Sequence, residues 1–482
     1  MKQVVLLLLC LSWRVSLAQL KVNSNHRSFQ DEKGKPFFWM GDTAWELAHR
    51  LDRQETETYL ETRRRQGFNV IQVVALPFAN EVDNKKPNRY GDFPFVNDNP
   101  DQLAITPGNN PNDAAQYDYW DHVDFVIQTA ARKGLYIALS PVWGDHVSPH
   151  WSPKGVIFNE QNARSYGKYW GSRYANQWNI IWVLGGDCPL VYEKDKRHYD
   201  DRPVWRAMAA GIEEGEGAKH HLMTFHPKGG KSSSEYFQQD NWLDFNAFQS
   251  SHGARGTDAW NWVTRDLALK PTKPTLDMEP CYEDHPVNPW DGKWTRQRGY
   301  FNAYDIRTRL YRSVFAGMSG FTYGHHQVWQ FLDTTRFIPL SVGDTIIGWK
   351  QALHAEATGQ IQYLKQLMLS RPYFSRVSDQ SLIRSVKGTD YRDLVMAARD
   401  SAGTYIMVYL PQRAPVTVDV TTIPGSQKQA WWFDPRTGKA IPDRSGRFTG
   451  VVTFTPPSQP SALATDWVLV IDDAARKYPF PK

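Results

Sequence analysis

Cysteine is scarce: there are three in 482 residues, and Cys10 lies among the first eighteen. Cys188 and Cys281 cannot make a disulfide framework, so the fold has to be held by a buried core. Charge of one sign is also lacking. The 56 Lys and Arg against 51 Asp and Glu leave a formal net charge of +5, too small an excess to argue for a nucleic-acid partner. Beyond residue 18 no apolar run approaches the roughly 20 residues that a membrane span needs, so no membrane insertion is expected. The HExxH pattern and any cysteine pair at metal spacing are missing, which argues against a catalytic metal; no cofactor is expected. His146 and His150 are four apart, but Pro149 between them argues against the helix that would align them. The absence of GxSxG disfavours a serine hydrolase. Gly229-Gly230-Lys231-Ser232 lacks the earlier glycine of a phosphate loop and reads as a flexible loop.

Aromatic residues, by contrast, are plentiful, with 20 Trp, 22 Tyr and 23 Phe. Flat faces with a polar tip suit amphipathic ligands such as sugar rings. With 41% apolar and 22% charged residues the chain has the balance of a folded globular protein. Residues 1–18 begin with Lys2, run apolar from Val4 to Leu11 and end in small residues at Ser16 and Ala18. That is the pattern of a secretory signal peptide, which predicts a periplasmic or extracellular protein. Eight apolar residues are too few for a membrane anchor, and Leu9 before Cys10 is a poor lipoprotein signal.

Residues 19–370 alternate short apolar runs with longer amphipathic ones, the pattern of a parallel sheet crossed by helices. Eight units are expected. Their strands are Phe37 to Gly41, Asn69 to Ala75, Tyr136 to Ser140, Ile180 to Gly185, Leu222 to Phe225, Phe245 to Gln249, Thr275 to Met278 and Gly320 to Thr322. Among the intervening helices are Arg53 to Gln66, Tyr119 to Lys133 and Gly348 to Leu369. This predicts an α/β fold, a (β/α)8 TIM barrel; the alternative, an open doubly wound sheet, lacks the Gly-rich turn after its first strand. From Arg371 to Lys482 the segments are short, alternating and separated by turn formers such as Pro424-Gly425, which predicts a smaller C-terminal β-sandwich.

Barrel chemistry sits where strands end on the C-terminal face. Two carboxylates lie at the ends of almost opposite strands, Asp187 after strand four and Glu279 after strand seven, the usual placement in retaining barrel glycosidases. Cleavage of a glycosidic bond needs one carboxyl to protonate the departing oxygen and a second to support the positive charge at the anomeric carbon. Asp187 is therefore expected as acid/base and Glu279 as nucleophile, against the simpler reading that each caps a helix. Asp42 either binds sugar hydroxyls or caps the first helix. Trp45 and Trp143 either stack on a sugar or fill the barrel top. His226, Gln249 and Tyr323 contact either substrate or the groups around it. Arg63-Arg64-Arg65 reads as a solvated face. Cys188 and Cys281, on strands across the barrel, are expected as free, buried thiols.

Phe38-Trp39-Met40-Gly41-Asp42-Thr43-Ala44-Trp45-Glu46-Leu47, Gly67-Phe68-Asn69-Val70, Trp182-Val183-Leu184-Gly185-Gly186-Asp187 and Asp277-Met278-Glu279-Pro280 resemble glycoside hydrolase family 140, the apiosidase-like enzymes. Trp432-Phe433-Asp434-Pro435-Arg436-Thr437-Gly438 is similar to the collagen-binding-type sandwich that follows the barrel in those proteins. The resemblance covers nearly all of the chain after residue 18. It implies an endo-apiosidase that removes apiose-linked side chains from the plant pectic polysaccharide rhamnogalacturonan II. It also places the acid/base on Asp187 and the nucleophile on Glu279. Another plant linkage, an arabinofuranoside or a β-mannan, would use the same two carboxylates. A non-catalytic glycan- or collagen-binding protein would need neither.

Overall fold

The computed structural model describes residues 19–79, 87–151, 154–291, 295, 297–336, 347–385, 390–444, 446, 448–457 and 466–481. The segment read as a signal peptide lies outside the described residues. Eight parallel strands form the barrel: Trp39–Thr43 (β1), Val70–Val74 (β2), Tyr136–Ser140 (β3), Ile180–Gly185 (β4), Met223–His226 (β5), Asn246–Phe248 (β6), Thr275–Asp277 (β7) and Gly320–Tyr323 (β8). A six-stranded ladder runs β5-β4-β3-β2-β1-β8, and β6 pairs with β7. Isolated hydrogen bonds close the ring at the two gaps. Asp244 N donates to Met223 O at 2.9 Å and Thr224 Oγ1 to Phe245 O at 2.6 Å, while Ser319 N reaches Thr275 O at 3.4 Å.

The strands are buried on both faces, as parallel strands between a packed axis and an outer ring of helices must be. In β2, Ile71 and Val73 pack outward with Tyr59 and Leu60 of helix Arg53–Arg65 (α1) and Val123 and Ile127 of helix Tyr119–Arg132 (α2). Gln72 points across the axis and donates to Met278 O at 2.9 Å. Capping boxes start the helices where the sequence supplies them: Asp52 with Glu55 for α1 and Asp118 with Asp121 for α2.

The expected strands are present with ends shifted by two residues at most. Two features differ. The stretch Gly348 to Leu369 is three short helices, Trp349–Ala352, Glu356–Gln360 and Gln362–Leu369. The β-hairpin Val191–Lys194 and Arg197–Asp200, between β4 and its helix, carries alternating exposed residues too polar to signal a strand.

The C-terminal part is two packed sheets. The larger contains Arg376–Ser378 (β9), Met396–Asp400 (β10), Tyr405–Leu410 (β11), Lys428–Phe433 (β13), Ala440–Asp443 (β14) and Trp467–Asp473 (β16), in the order β9-β10-β11-β16-β13-β14. The smaller pairs Val416–Asp419 (β12) with Val451–Phe454 (β15). Alternation along β11 divides the burial. Ile406, Val408 and Leu410 face the small sheet, whereas Tyr405, Met407 and Tyr409 join the core of the barrel.

Tyr409 stacks on Tyr311 of helix Ala303–Phe315 (α3) with ring centroids 4.8 Å apart. Two buried, two-pronged ion pairs pin this seam: Arg307 on Asp466 at 3.0 and 2.9 Å, and Arg371 on Asp472 at 2.9 and 2.8 Å. Removing one partner of a buried pair strands the other charge, which costs about 3–5 kcal/mol. Asp466→Ala should therefore lower the midpoint of a single cooperative thermal transition shared by barrel and sandwich. A chain ending at Ser370 should be insoluble. Calorimetry that resolves two independent transitions, or a soluble and folded truncated barrel, would contradict this coupling.

Candidate active site

The residues after β4 turn sharply. Gly185, Gly186 and Asp187 have φ of 89°, 130° and 34°, all in the left-handed half of backbone space. For an aspartate this is a strained conformation, held by its surroundings. Gly186 lies against the indole of Trp143, so close that a Cβ there would fall 2.2 Å from the ring. The turn therefore admits only glycine and aims the Asp187 side chain into a cleft of about 690 Å³ at the C-terminal mouth of the barrel.

Glu279 lies across the cleft, after β7. Gln72 holds the carbonyl of Met278, the residue before it, and Ser251 N donates to its own carbonyl at 3.0 Å. Its carboxylate is hydrogen-bonded by one histidine and lies beside a second. His252 Nε2 lies 3.2 Å from Oε1 and His226 Nε2 lies 3.3 Å from Oε2. Tyr282 N–H donates to His252 Nδ1 at 3.2 Å, which assigns the ring proton to Nε2 and makes that nitrogen the donor to Glu279. His226 Nδ1 faces the carbonyl of Pro227 at 3.0 Å, a contact that orients the ring beside the carboxylate.

The two carboxyls are driven apart in acidity. Burial and the nearby Glu279 charge push Asp187 up to about 6, against the opposing pull of the Gly229 N–H, 3.3 Å from Oδ1, and of His226 and Gln249. Burial would raise Glu279 as well, but His226 and His252 outweigh it and hold the carboxyl down to about 2. One group is thus kept as acid and the other as anion over a wide pH range.

Of the residues singled out in the sequence, Asp187, Glu279, Trp45, Trp143 and Gln249 line the cleft together. Trp45 and Trp143 meet at 4.8 Å between centroids, and Trp45 Nε1 donates to Tyr282 OH at 3.2 Å. His226 lies under the floor, touching Glu279 but fully buried. Asp42 and Tyr323 are not on the cleft wall. Asp42 is fully buried and accepts from Arg63 Nε at 2.6 Å and from the Tyr59 hydroxyl; it neither lines the mouth nor caps a helix, since Leu47–Arg50 starts at Glu46 and α1 at Asp52. Tyr323 OH donates to buried Glu283 at 2.6 Å.

Arg63 corrects the reading of Arg63-Arg64-Arg65 as solvated: it is fully buried, because α1 turns it inward to meet Asp42. The loop from Gly229 to Ser232, read as flexible, is tied at both ends. Gly229 N–H reaches Asp187, and Ser232 Oγ donates to buried Asp266 at 2.6 Å. His146 and His150 do not converge. His146 Nε2 binds Pro77 O at 2.7 Å, while His150 packs edge-on against Trp151. Cys188 and Cys281 are free and buried, as expected, and burial raises both thiols, Cys281 to about 11.

Sequence reasoning missed His252, Tyr282, Trp151, Trp290 and Lys228. His252 and Tyr282 lie three residues beyond Gln249 and Glu279, close enough to the strand ends to have been found. The other three sit on loops whose path the sequence pattern does not reveal.

The sequence matches the family described as "Apiosidase-like, catalytic domain" over residues 23–375, and the one described as "Putative collagen-binding domain of a collagenase" over 377–472. No curated protein is matched. Among solved structures, one described as "Glycoside hydrolase" is 36% identical with a TM-score of 0.81, covering 95% of this chain and 98% of that one. A glycoside hydrolase family 5 protein from Bacteroides vulgatus ATCC 8482 is 34% identical, also with a TM-score of 0.81, covering 96% and 94%. A third, from the same organism, shares the fold at 15% identity and a TM-score of 0.64. With a family match over most of its length, joined to relatives of this identity and coverage, the chain belongs to the apiosidase-like family.

Proposed function

We propose that this protein is a retaining glycoside hydrolase of family 140. In this reading it is an endo-apiosidase that cleaves the bond joining apiose-linked side chains to the galacturonate backbone of rhamnogalacturonan II. The observation that carries the reading is the pair Asp187 and Glu279 in one aromatic cleft, with environments that favour the acid form of the first and the anion of the second. Protonated Asp187 gives its proton to the glycosidic oxygen as the bond from that oxygen to the anomeric carbon breaks. Glu279 attacks the same carbon and forms a glycosyl ester. The departing oligosaccharide leaves Asp187 as carboxylate, which then takes a proton from water. The resulting hydroxyl replaces Glu279 at the anomeric carbon, with net retention. Trp45 and Trp143 offer an apolar wall for the sugar face. Residues 1–18, taken as an export signal, would put the enzyme where such polysaccharides are met. The sandwich is read as structural, since its large sheet is covered by the barrel on one side and by the small sheet on the other.

Digestion of pectic fractions is the direct test: released side-chain oligosaccharides ending in apiose are expected, with the anomeric configuration of the first-formed product retained by NMR. Release from arabinan or mannan alone would move the linkage, and an inverted product would remove the covalent step. Glu279→Gln should abolish turnover on every substrate. Asp187→Asn should cost about 10²- to 10⁴-fold on natural substrate and far less on an aryl glycoside whose leaving group needs no proton. Equal losses on both would contradict the acid role.

The pH profile follows from the two carboxyls. Asp187 must be protonated, so kcat/KM should fall as pH rises through about 6, and Glu279 must be ionised, which holds down to about 2. The alkaline limb should disappear in Asp187→Asn assayed on the aryl glycoside. A limb that persists there belongs to another group.

A further inference from the structure

Far from the mouth, where α3 ends and β8 begins, a second hollow of about 370 Å³ opens along the seam between barrel and sandwich. Its walls come from distant parts of the chain: Asn25 and Arg27 from the turn after the first residues, Trp260 from helix Ala259–Ala268, Gly317 from the end of α3, and Phe374 and Arg376 where the chain enters β9. These walls are tied to one another. Asn25 Nδ2 donates to Phe374 O at 3.0 Å, Ser319 Oγ to Arg27 O at 2.7 Å, and Tyr373 OH to Ser319 O at 3.0 Å. The hollow is therefore preformed, and a ligand need not open it.

Its charge is one-sided. No described Asp or Glu lines it, whereas two arginines do. Arg376 donates from its guanidinium to Val314 O and, at 2.9 Å, to Met318 O, which closes the carbonyl end of α3; its Nε is buried without an acceptor. Arg27 is exposed, and neither arginine forms an ion pair with a described carboxylate. The ends of α3 and of helix Ala259–Ala268 bring about −0.5 charge each, so roughly one positive charge remains. Beside it stands half-buried Trp260, steadied at its edge by donation from Nε1 to Asp258 Oδ1 at 3.3 Å. A volume of about 370 Å³ falls in the range of pockets that enclose an organic molecule and far exceeds the space one inorganic anion needs.

We propose that this hollow is a second saccharide site, which holds an acidic sugar of a polymer chain away from the cleft. Arg27 takes the carboxylate, Arg376 adds its charge from the wall, and the indole of Trp260 takes the ring face. The site is separate from Asp187 and Glu279 and does not depend on which linkage is cut between them.

Hydrogen–deuterium exchange on the full chain, read by mass spectrometry, locates such binding without turnover. Trigalacturonic acid should slow exchange in segments 25–28 and 373–378, apart from any change at 249–252 in the cleft. At the same concentration its trimethyl ester, which lacks the charge, and citrate, which lacks the ring, should leave both segments unchanged. Arg27→Ala should raise the concentration needed to protect 373–378 about tenfold or more, the span of a charged hydrogen bond. It should leave the thermal midpoint in place, since an exposed side chain is removed. Trp260→Leu should weaken the protection as well, and Trp260→Phe should keep most of it; added salt should weaken it in every form. No protection at these segments, equal protection by the ester, or protection that survives Arg27→Ala would overturn the site. Equal protection by citrate would make it a site for small carboxylates and overturn the saccharide. Because no cleavage is read, each outcome stands apart from the apiosidase reading.

Discussion

Two carboxyl groups that share a half-dry cleft cannot both stay ionised cheaply, and most of the barrel mouth answers that constraint. Like charges at short range raise each other's pKa, so function requires that the protein break the symmetry. It does so by unequal donation. Glu279 receives two imidazole contacts, one of them fixed in tautomer by the Tyr282 N–H, whereas Asp187 has a single long backbone N–H at 3.3 Å and the edge of Gln249. Gln72, across the barrel axis, holds the carbonyl of Met278, and Ser251 N–H holds that of Glu279 itself. Asp187 reaches the cleft only because three successive left-handed residues turn the chain back over Trp143. Backbone strain on one side and a polar crossing of the core on the other thus serve the same end.

How much of this could be read in the sequence follows from the range of each interaction. The barrel strands were legible because burial on both faces leaves a local signature, a short apolar run between helices. Asp187 and Glu279 were legible because strand ends on one rim of a barrel converge whatever the loops do. Asp42 was misread for the converse reason: a carboxylate at a strand end looks the same whether it faces the cleft or a helix. Its fate was decided by Arg63, 21 residues on, whose burial breaks the solvated reading of an arginine triplet. Trp151, Lys228 and Trp290 were invisible because loop paths depend on contacts such as Lys194 with Pro149, which no periodicity encodes.

The second domain shows the same dependence on alternation. A two-residue period along β11 sends every other side chain to a different core, so one strand belongs to both the sandwich and the barrel. A binding module on a linker would leave one face of its large sheet to solvent. Here that face is aromatic and meets α3 through Tyr311 and Tyr409, with Arg307 and Arg371 neutralised by Asp466 and Asp472 in the seam. Resemblance to a collagen-binding domain describes the strands, while burial ties this sandwich to the barrel.

The treatment of charge ties these parts together. Beneath the mouth Asp42 is paired with Arg63, and at the seam Arg307 with Asp466 and Arg371 with Asp472. Such pairs add little stability compared with apolar residues of the same volume. Burial even pushes the Asp42 carboxyl up against the pull of Arg63, which shows how dry its position is. The cleft is then governed by the contrast within it, the Asp187 carboxyl pushed up by burial and the Glu279 carboxyl held down by His226 and His252.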